Sequence, residues 1–360
     1  MTEITDDGVS LKRRFNHDIL VEQEDQDEAV RRWPAIGHLL INAELIRRFK
    51  PHEELARTQK RIVQTLGSAA VLLMLAALLG YVAELWVVAP GRGRDIPYLG
   101  VLSELSALAA LLLALLASRY GPVRRRWLKN RFITEVLRQW HFRRLLDGVT
   151  IDQSVDKLDP FLKGRFGDLS TLIQSLAGTV GQKMDELSEL RRDPLGRIPR
   201  ARLPQTGEMR AQLLDAYRAL RLDHQRDFAV YKLSAEDKTF GGISLRLLSS
   251  VTEHLAGTTL VLALACSVAR LFVPFAWSPM AAVSLAITGV AVRAWRDGFA
   301  LGPEHERYQE MLHVLELLAA RWENAESEEQ RFRIAEELEA AALEELRSFI
   351  RSHEQAQFLF

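Results

Sequence analysis

The side-chain pattern nearest to metal chemistry in this chain is His305-Glu306. A zinc-protease helix needs a second histidine four residues after the first, so that both imidazoles share one face, and position 309 holds a glutamine instead. His305 and His313 fall on one helix face, and we read them as ordinary, part-exposed helix histidines. No glycine-rich loop closes on Gly-Lys-Ser or Gly-Lys-Thr, so the backbone cradle that holds nucleotide phosphates is missing. The single thiol, Cys266, sits in an apolar stretch and behaves as a small hydrophobe. One cysteine closes no internal disulfide and makes no zinc set. These residue types give no reason to expect an enzyme, a cofactor or a metal.

Three other charges are more informative because of where they stand. Glu84 closes one long apolar run, Glu104 lies near the start of another, and Arg270 interrupts a third. An ion in lipid costs about 2.5–3.5 kcal/mol at mid-helix, so such groups face partners, water or the interface. Three readings stay open. Arg270 pairs with Glu104 or Glu84 and locks two helix pairs together; the glutamates line a cation-attracting mouth in an oligomeric pore; or all three side chains snorkel to the interface with no further role.

The runs themselves are long enough to cross a bilayer, whose core of about 30 Å takes about 20 helical residues. Spans are expected at about 62–88 and 98–120, joined by a turn with Pro90, Gly91 and Gly93, and at about 255–277 and 278–298, with Pro274 and Pro279 at the turn. Arg47, Arg48, Lys50, Arg57, Lys60 and Arg61 precede the first span, and a collar of Arg124, Arg125, Arg126, Lys129 and Arg131 follows the second. The positive-inside rule then places both termini and the middle segment in the cytoplasm of a multi-pass protein of the cell inner membrane. The collar fixes topology and suits anionic lipid. With 47 basic and 47 acidic side chains, the chain has no global attraction to nucleic acid, and none is expected as a partner. Composition alone, at 26% charged residues, resembles that of a soluble protein because the apolar residues are segregated into blocks.

The fold class expected is all-α: an integral membrane protein with four transmembrane helices in two hairpins plus long cytoplasmic amphipathic helices. Residues 1–34 are charged, poorly periodic and expected to be flexible. Residues 35–147 form a first two-span unit, entered by a helix with a candidate break at Pro51 and left by an amphipathic helix over 123–146. Residues 148–208 read as a linker or small irregular region with one helix around 168–190. Residues 209–360 form a second two-span unit: a helix over 209–239, the span pair, and helices over 304–324 and 328–357. Ile334, Leu338, Ala341, Ala342, Leu346 and Ile350 keep the spacing of a buried stripe, which we pair with Leu312, Leu315 and Leu318 in a C-terminal helical hairpin. The acidic residues of those helices, Glu304 and Glu339 among them, are expected either to dock on the basic collar of the same chain or of a neighbour or to form a solvated helix face.

Two motifs carry a resemblance to a known family. Before the second span pair come Tyr217, Arg221, Leu222 and Gln225, then Tyr231-Lys232; after the first come Trp127, Arg131, Glu135, Leu137, Arg138 and Trp140. The first set resembles the pre-membrane helix of the SLATT proteins, two-transmembrane effector domains found beside SMODS nucleotidyltransferases and SLOG sensor domains. The second is similar to the basic, tryptophan-containing helix that follows a SLATT hairpin. The chain so resembles two tandem SLATT units. The resemblance implies a membrane effector that forms a pore or perturbs the membrane on oligomerisation, in a bacterial nucleotide-signal-linked antiviral defence system. Implied partners are the lipid bilayer, further copies of the chain, and a protein carrying a SLOG domain or a SMODS nucleotidyltransferase, since this chain shows no such domain. The alternatives are a membrane-anchored helical scaffold and, less well supported, a transporter.

Overall fold

The computed structural model describes residues 14–88, 99–148, 207–234, 243–272 and 278–355. The expected helix around 168–190 and the linker that contains it, the turns at 89–98 and 273–277, and Phe358 to Phe360 lie outside the described residues. Those described are helical, with no strand among them. A 3-10 turn at Arg14–Ile19 leads to α1 (Gln23–Arg32), the short α2 (Gly37–Leu40), α3 (Ala43–Val88) and α4 (Leu99–Gly148). After the linker come α5 (Glu208–Tyr217), a π-helical segment at Arg218–Asp223, and α6 (His224–Leu233). Then follow α7 (Leu245–Phe272), α8 (Ser278–Gly298), α9 (Leu301–Glu323) and α10 (Glu328–Gln355).

Apolar blocks joined to amphipathic stretches give α3 and α4 their length. α3 runs 46 residues and α4 runs 50, and each passes through a proline, Pro51 and Pro122, without ending. A proline inside a helix removes one backbone hydrogen bond to the residue four back. Forty or more other residues in each helix keep theirs, so the break expected at Pro51 does not occur.

The chain divides into two compact units. The first draws on Met1–Ala56, Leu128–Lys232 and Arg307–Arg351, the second on Arg57–Trp127, Leu233–Glu306 and Ser352–Phe360. The expected units at 35–147 and 209–360 follow chain order, whereas each of these compact units takes stretches from both halves. The physical reason is that each half holds both a water-type and a lipid-type stretch, and like stretches from both halves pack together.

In the first unit the core comes from α4 (Val136, Leu137, Phe142, Leu146), α5 and the π segment (Leu214, Tyr217, Leu222), and the C-terminal pair (Leu315, Leu338, Ile350). The stripe on α10 is buried except at Ala341, which is half-buried. Arg307 and Arg321 of α9 pair with Glu345 and Glu337 of α10, across a connection of four residues, so these two helices lie antiparallel. Residues 14–34, expected to be flexible, form the 3-10 turn and α1. Ile19, Leu20 and Trp33 are buried, the Trp33 indole donates to Asp215 of α5 at 2.8 Å, and the Ala35 amide donates to Gln212. The few apolar residues there are too widely spaced to show periodicity, yet each finds a place in the core.

Among the described residues three helices are long and apolar enough to cross a membrane, over Ala43–Leu85, Leu245–Phe272 and Ser278–Gly298, and their apolar stretches lie in the second unit. The stretch expected as span two opens α4, and side chains described along it, Leu105, Leu108, Leu111, Leu112 and Leu115, are exposed. α7 and α8 run antiparallel in contact along their lengths. Ser278 donates to the Cys266 carbonyl at one end, Arg296 pairs with Glu253 at the other, and Gly289 lies against Thr259 and Leu260 between them. Trp295 of α8 donates to the Ser68 hydroxyl of α3 at 3.0 Å, which ties that pair to the first.

Candidate functional site

The densest chemistry in the molecule is a buried ionic network in the first unit, and it is built largely from the two motif sets. α4 supplies Arg131, Glu135 and Arg138, which recur every three or four residues and so share one helix face. Arg131 reaches Glu135 at 2.7 Å, and Arg138 reaches the same carboxylate at 2.6 Å. Arg138 then meets Asp18, which follows the N-terminal 3-10 turn's histidine and is 1% exposed, at 2.6 Å. Burial works to raise the Glu135 carboxyl, but Arg131 and Arg138 outweigh it and hold the group down at about 2. Burial likewise opposes the Arg138 charge, and Asp18 and Glu135 override it, so its affinity for a proton rises. Both groups therefore stay charged although water has little access to them.

The second half of the network sits at the π segment. Arg221 is 1% exposed and forms a two-point pair with Glu339 of α10: Nε to Oε1 at 2.8 Å, Nη2 to Oε2 at 3.1 Å. Such fork-to-fork contacts fix orientation as well as charge. The Tyr217 hydroxyl lies 2.8 Å from Glu339 Oε1 and 3.1 Å from the Ala335 carbonyl, so its one proton serves either acceptor. Burial pushes the Tyr217 phenol well up, and the neighbouring Glu339 charge adds to that. Phe142 of α4 packs beneath, with the Arg221 guanidinium 4.9 Å from its ring centre and the Tyr217 ring edge-on at 5.8 Å. Trp322 of α9 stacks on the other side of Tyr217 at 6.2 Å. Helices α4, α5, α9 and α10 thus all meet at one tyrosine–arginine–glutamate contact. The π segment widens the helix by one residue per turn there, a feature that recurs at functional positions in other proteins.

An open cavity of about 270 Å³ lies beside this network, lined by Asp215, Arg218, Trp322, Glu323, Glu328 and Arg331 among others. Its carboxylates are engaged: Glu323 by Arg218, Glu328 by Arg210, and Asp215 by the Trp33 indole. The cavity has the size of a small-ligand recess but a mixed, mutually neutralised lining.

The remaining motif residues divide between the units. In the first, Leu137, Trp140 and Leu222 are core, Gln225 is half-buried, and the Lys232 ammonium sits 5.7 Å from both the Phe228 and the Tyr231 ring centres. In the second unit, Trp127 is buried with Lys60 over its ring at 5.9 Å and His353 edge-on at 5.1 Å. Of the collar, Arg124 lines a small cavity with Lys60, Tyr120, Trp127 and the buried Glu304, while Arg125 and Arg126 are exposed. Lys129 and Arg131 are half-buried, the latter near Glu53 at 3.9 Å as well as Glu135. The acidic residues expected on the collar mostly find other partners: Glu339, Glu345 and Glu337 take Arg221, Arg307 and Arg321.

Glu84 is half-buried, and Glu104 and Arg270 are exposed. No ion pair joins either glutamate to Arg270 among the described residues, so the structure does not bring this set together. Nor do the described residues contain a His, Cys, Asp and Glu grouping suited to a metal ion.

Sequence reasoning gave Glu339 the basic collar as its partner rather than Arg221, and missed Asp18 and the π segment. Glu339 was visible in principle, since it occupies the face of α10 shared by Ala335, Ala342 and Leu346, where a carboxylate must have a buried partner. Asp18 carried no comparable signal. No family model matches the chain, and neither does any curated protein or solved structure.

Proposed function

We propose that this chain is a multi-pass membrane effector: a four-span helical assembly, arranged as two hairpins, whose cytoplasmic helical body governs how the spans associate. Both termini and the linker lie in the cytoplasm in this reading, with the membrane being the inner membrane of a bacterial cell. One observation carries it. α3 and α4 are each a single unbroken helix, amphipathic and charge-paired in the first unit, and apolar on the outside in the second. A rigid helix transmits rotation or translation along its length, so a change in how the charged body packs becomes a change at the spans. Four helices per chain enclose no aqueous conduit of useful width, so a pore needs several copies. Glu84 and Glu104, at the end of the spans far from the collar, are placed in this reading at the mouth of such a conduit.

The resemblance to SLATT proteins supports the effector reading and supplies its setting, a defence system in which a nucleotide-linked cue reaches the chain through a SLOG-bearing or SMODS partner. The experiment is induced expression in bacterial cells with a membrane-potential dye. The effector reading expects depolarisation and growth arrest, and Glu104→Gln alters the ion selectivity of single channels. Normal growth and potential at high expression, with the chain retained in the membrane after alkaline extraction, would favour an anchored scaffold.

A further inference from the structure

Every charge on α3 over 57–83 and on α4 over 105–127 is positive. Arg57, Lys60 and Arg61 lie at one end of the first stretch, Arg119 and the Arg124–Arg126 run at one end of the second. The tertiary structure brings these ends together within the second unit. Lys60, Val63 and Gln64 line one small cavity with Tyr120, Arg124 and Trp127, and the Lys60 ammonium lies over the Trp127 ring. Arg61, Arg119 and Arg125, next in sequence to Lys60, Tyr120 and Arg124, are exposed. The single carboxylate lining the cavity, Glu304, is buried at 6% exposure and does not reach the surface.

The second helix pair carries two ion pairs of its own. On α7 and α8, Arg296 is answered by Glu253 at 3.1 Å and Arg293 by Asp297 at 3.6 Å. Arg61 shares α3 with Leu72, and Arg119 and Arg125 share α4 with Leu108, Leu111 and Leu115, each of these leucines more than half exposed. Exposed guanidinium groups next to an apolar helix surface match a ligand with an anionic head and hydrocarbon tails.

We propose that the basic end of the α3–α4 pair binds the headgroup of an anionic phospholipid, with Arg61, Arg119 and Arg125 as phosphate ligands and the leucine surface as the seat of the acyl chains. This rests on the membrane reading above and adds to it a lipid class and an address. Guanidinium suits the task because its fork matches two phosphate oxygens at once.

The test reconstitutes the full chain in vesicles of equal phosphocholine and phosphoglycerol lipids with matched acyl chains, extracts it in mild detergent, and counts retained headgroups by mass spectrometry. Phosphoglycerol is expected to be enriched roughly tenfold or more, as the attraction of several basic groups to an anionic surface allows. The enrichment should fall as salt approaches about 1 M, because exposed charges are screened. Arg61→Gln/Arg119→Gln/Arg125→Gln should abolish it, and Arg246→Gln/Arg293→Gln on the second pair should leave it. Retention in proportion to vesicle composition by a chain that resists alkaline extraction would overturn the lipid site alone. Equal loss in the second-pair variant would do the same. A chain that alkaline carbonate strips from the vesicles would overturn both this proposal and the membrane reading.

Discussion

In the first unit some charges are deeply buried: Arg221 and Glu339 are each 1% exposed and the Arg138 side chain 9%. In the second unit the apolar side chains are outside: Leu111 is 67% exposed and Leu271 and Phe272 are 80%. One sequence therefore follows two opposite rules of burial, and the change of rule falls along the length of single helices. The difference teaches what selects helix partners in each medium. In water, apolar burial drives helices together without direction, and buried ion pairs with one correct partner, such as Arg221 with Glu339, specify which faces meet. In lipid that drive is missing, and close approach at small residues and hydroxyls does the selecting, as at Gly289 against Thr259.

The largest effect expected from breaking this contrast is at the buried pair. Glu339→Gln leaves the Arg221 guanidinium without its counter-charge and should cost about 3–5 kcal/mol in thermal or denaturant unfolding of the first unit. The double replacement Arg221→Met/Glu339→Leu should recover most of that loss, since an apolar pair of similar volume needs no counter-ion. Recovery would locate the cost in the stranded charge rather than in the space.

The second unit should respond in the opposite sense to charge. Leu111→Arg adds a charge midway along the proposed second span and should impair membrane insertion by about 2.5–3.5 kcal/mol. On a surface facing water the same change would fall within about 0.5 kcal/mol. Insertion assays that register no loss would mean that this leucine face meets water.

Acid should open the first unit from its α4 side. The Glu135 carboxyl is lowered from an ordinary value of 4.5 to about 2. Its contribution is therefore fully present above about pH 4.5 and lost as pH falls toward 2, and a shift of that size corresponds to roughly 3 kcal/mol. Hydrogen exchange along 131–146 should accelerate over that window, and Glu135→Gln should remove the pH dependence.

Smaller effects test packing in the second unit and surface charge in the first. A methyl group added at Gly289 would stand 2.7 Å from Thr259 Oγ1 and 2.9 Å from Leu260 Cγ, so Gly289→Ala should cost about 1–3 kcal/mol and lower the α7–α8 cross-linking yield. Arg321 and Glu337 form a two-point pair whose side chains are 55% and 47% exposed, and a double-mutant cycle there should return less than about 1 kcal/mol. A larger value would mean that exposed pairs hold the C-terminal hairpin as the buried ones do.

The apolar helices could be read from the sequence because length and hydrophobicity are local properties, and a run such as 62–83 states both without reference to any other residue. The α10 stripe was legible for the same reason, as periodicity along one helix. The partners of the motif arginines were not. Arg221 and Glu339 are separated by 118 positions, Arg138 and Asp18 by 120, and nothing local marks which carboxylate a given guanidinium will meet. The order of residues 14–34 was hidden because Ile19, Leu20 and Trp33 gain their burial from helices far along the chain. The division into units was hidden too, since sequence order suggests two halves whereas solvation groups stretches by kind.

By itself, then, the sequence determined that the chain is helical, where its apolar blocks begin and end, and that basic residues gather beside the first pair of blocks. These follow from backbone hydrogen bonding within a segment and from side-chain polarity, which need no long-range information. Only the tertiary structure decided that Tyr217, Arg221 and Glu339 share one buried contact, that the N-terminal turn supplies Asp18 to Arg138, and that Lys60 meets Trp127. Each of those depends on where distant helices cross, and a crossing is fixed by the packing of whole faces rather than by the residues at the point of contact.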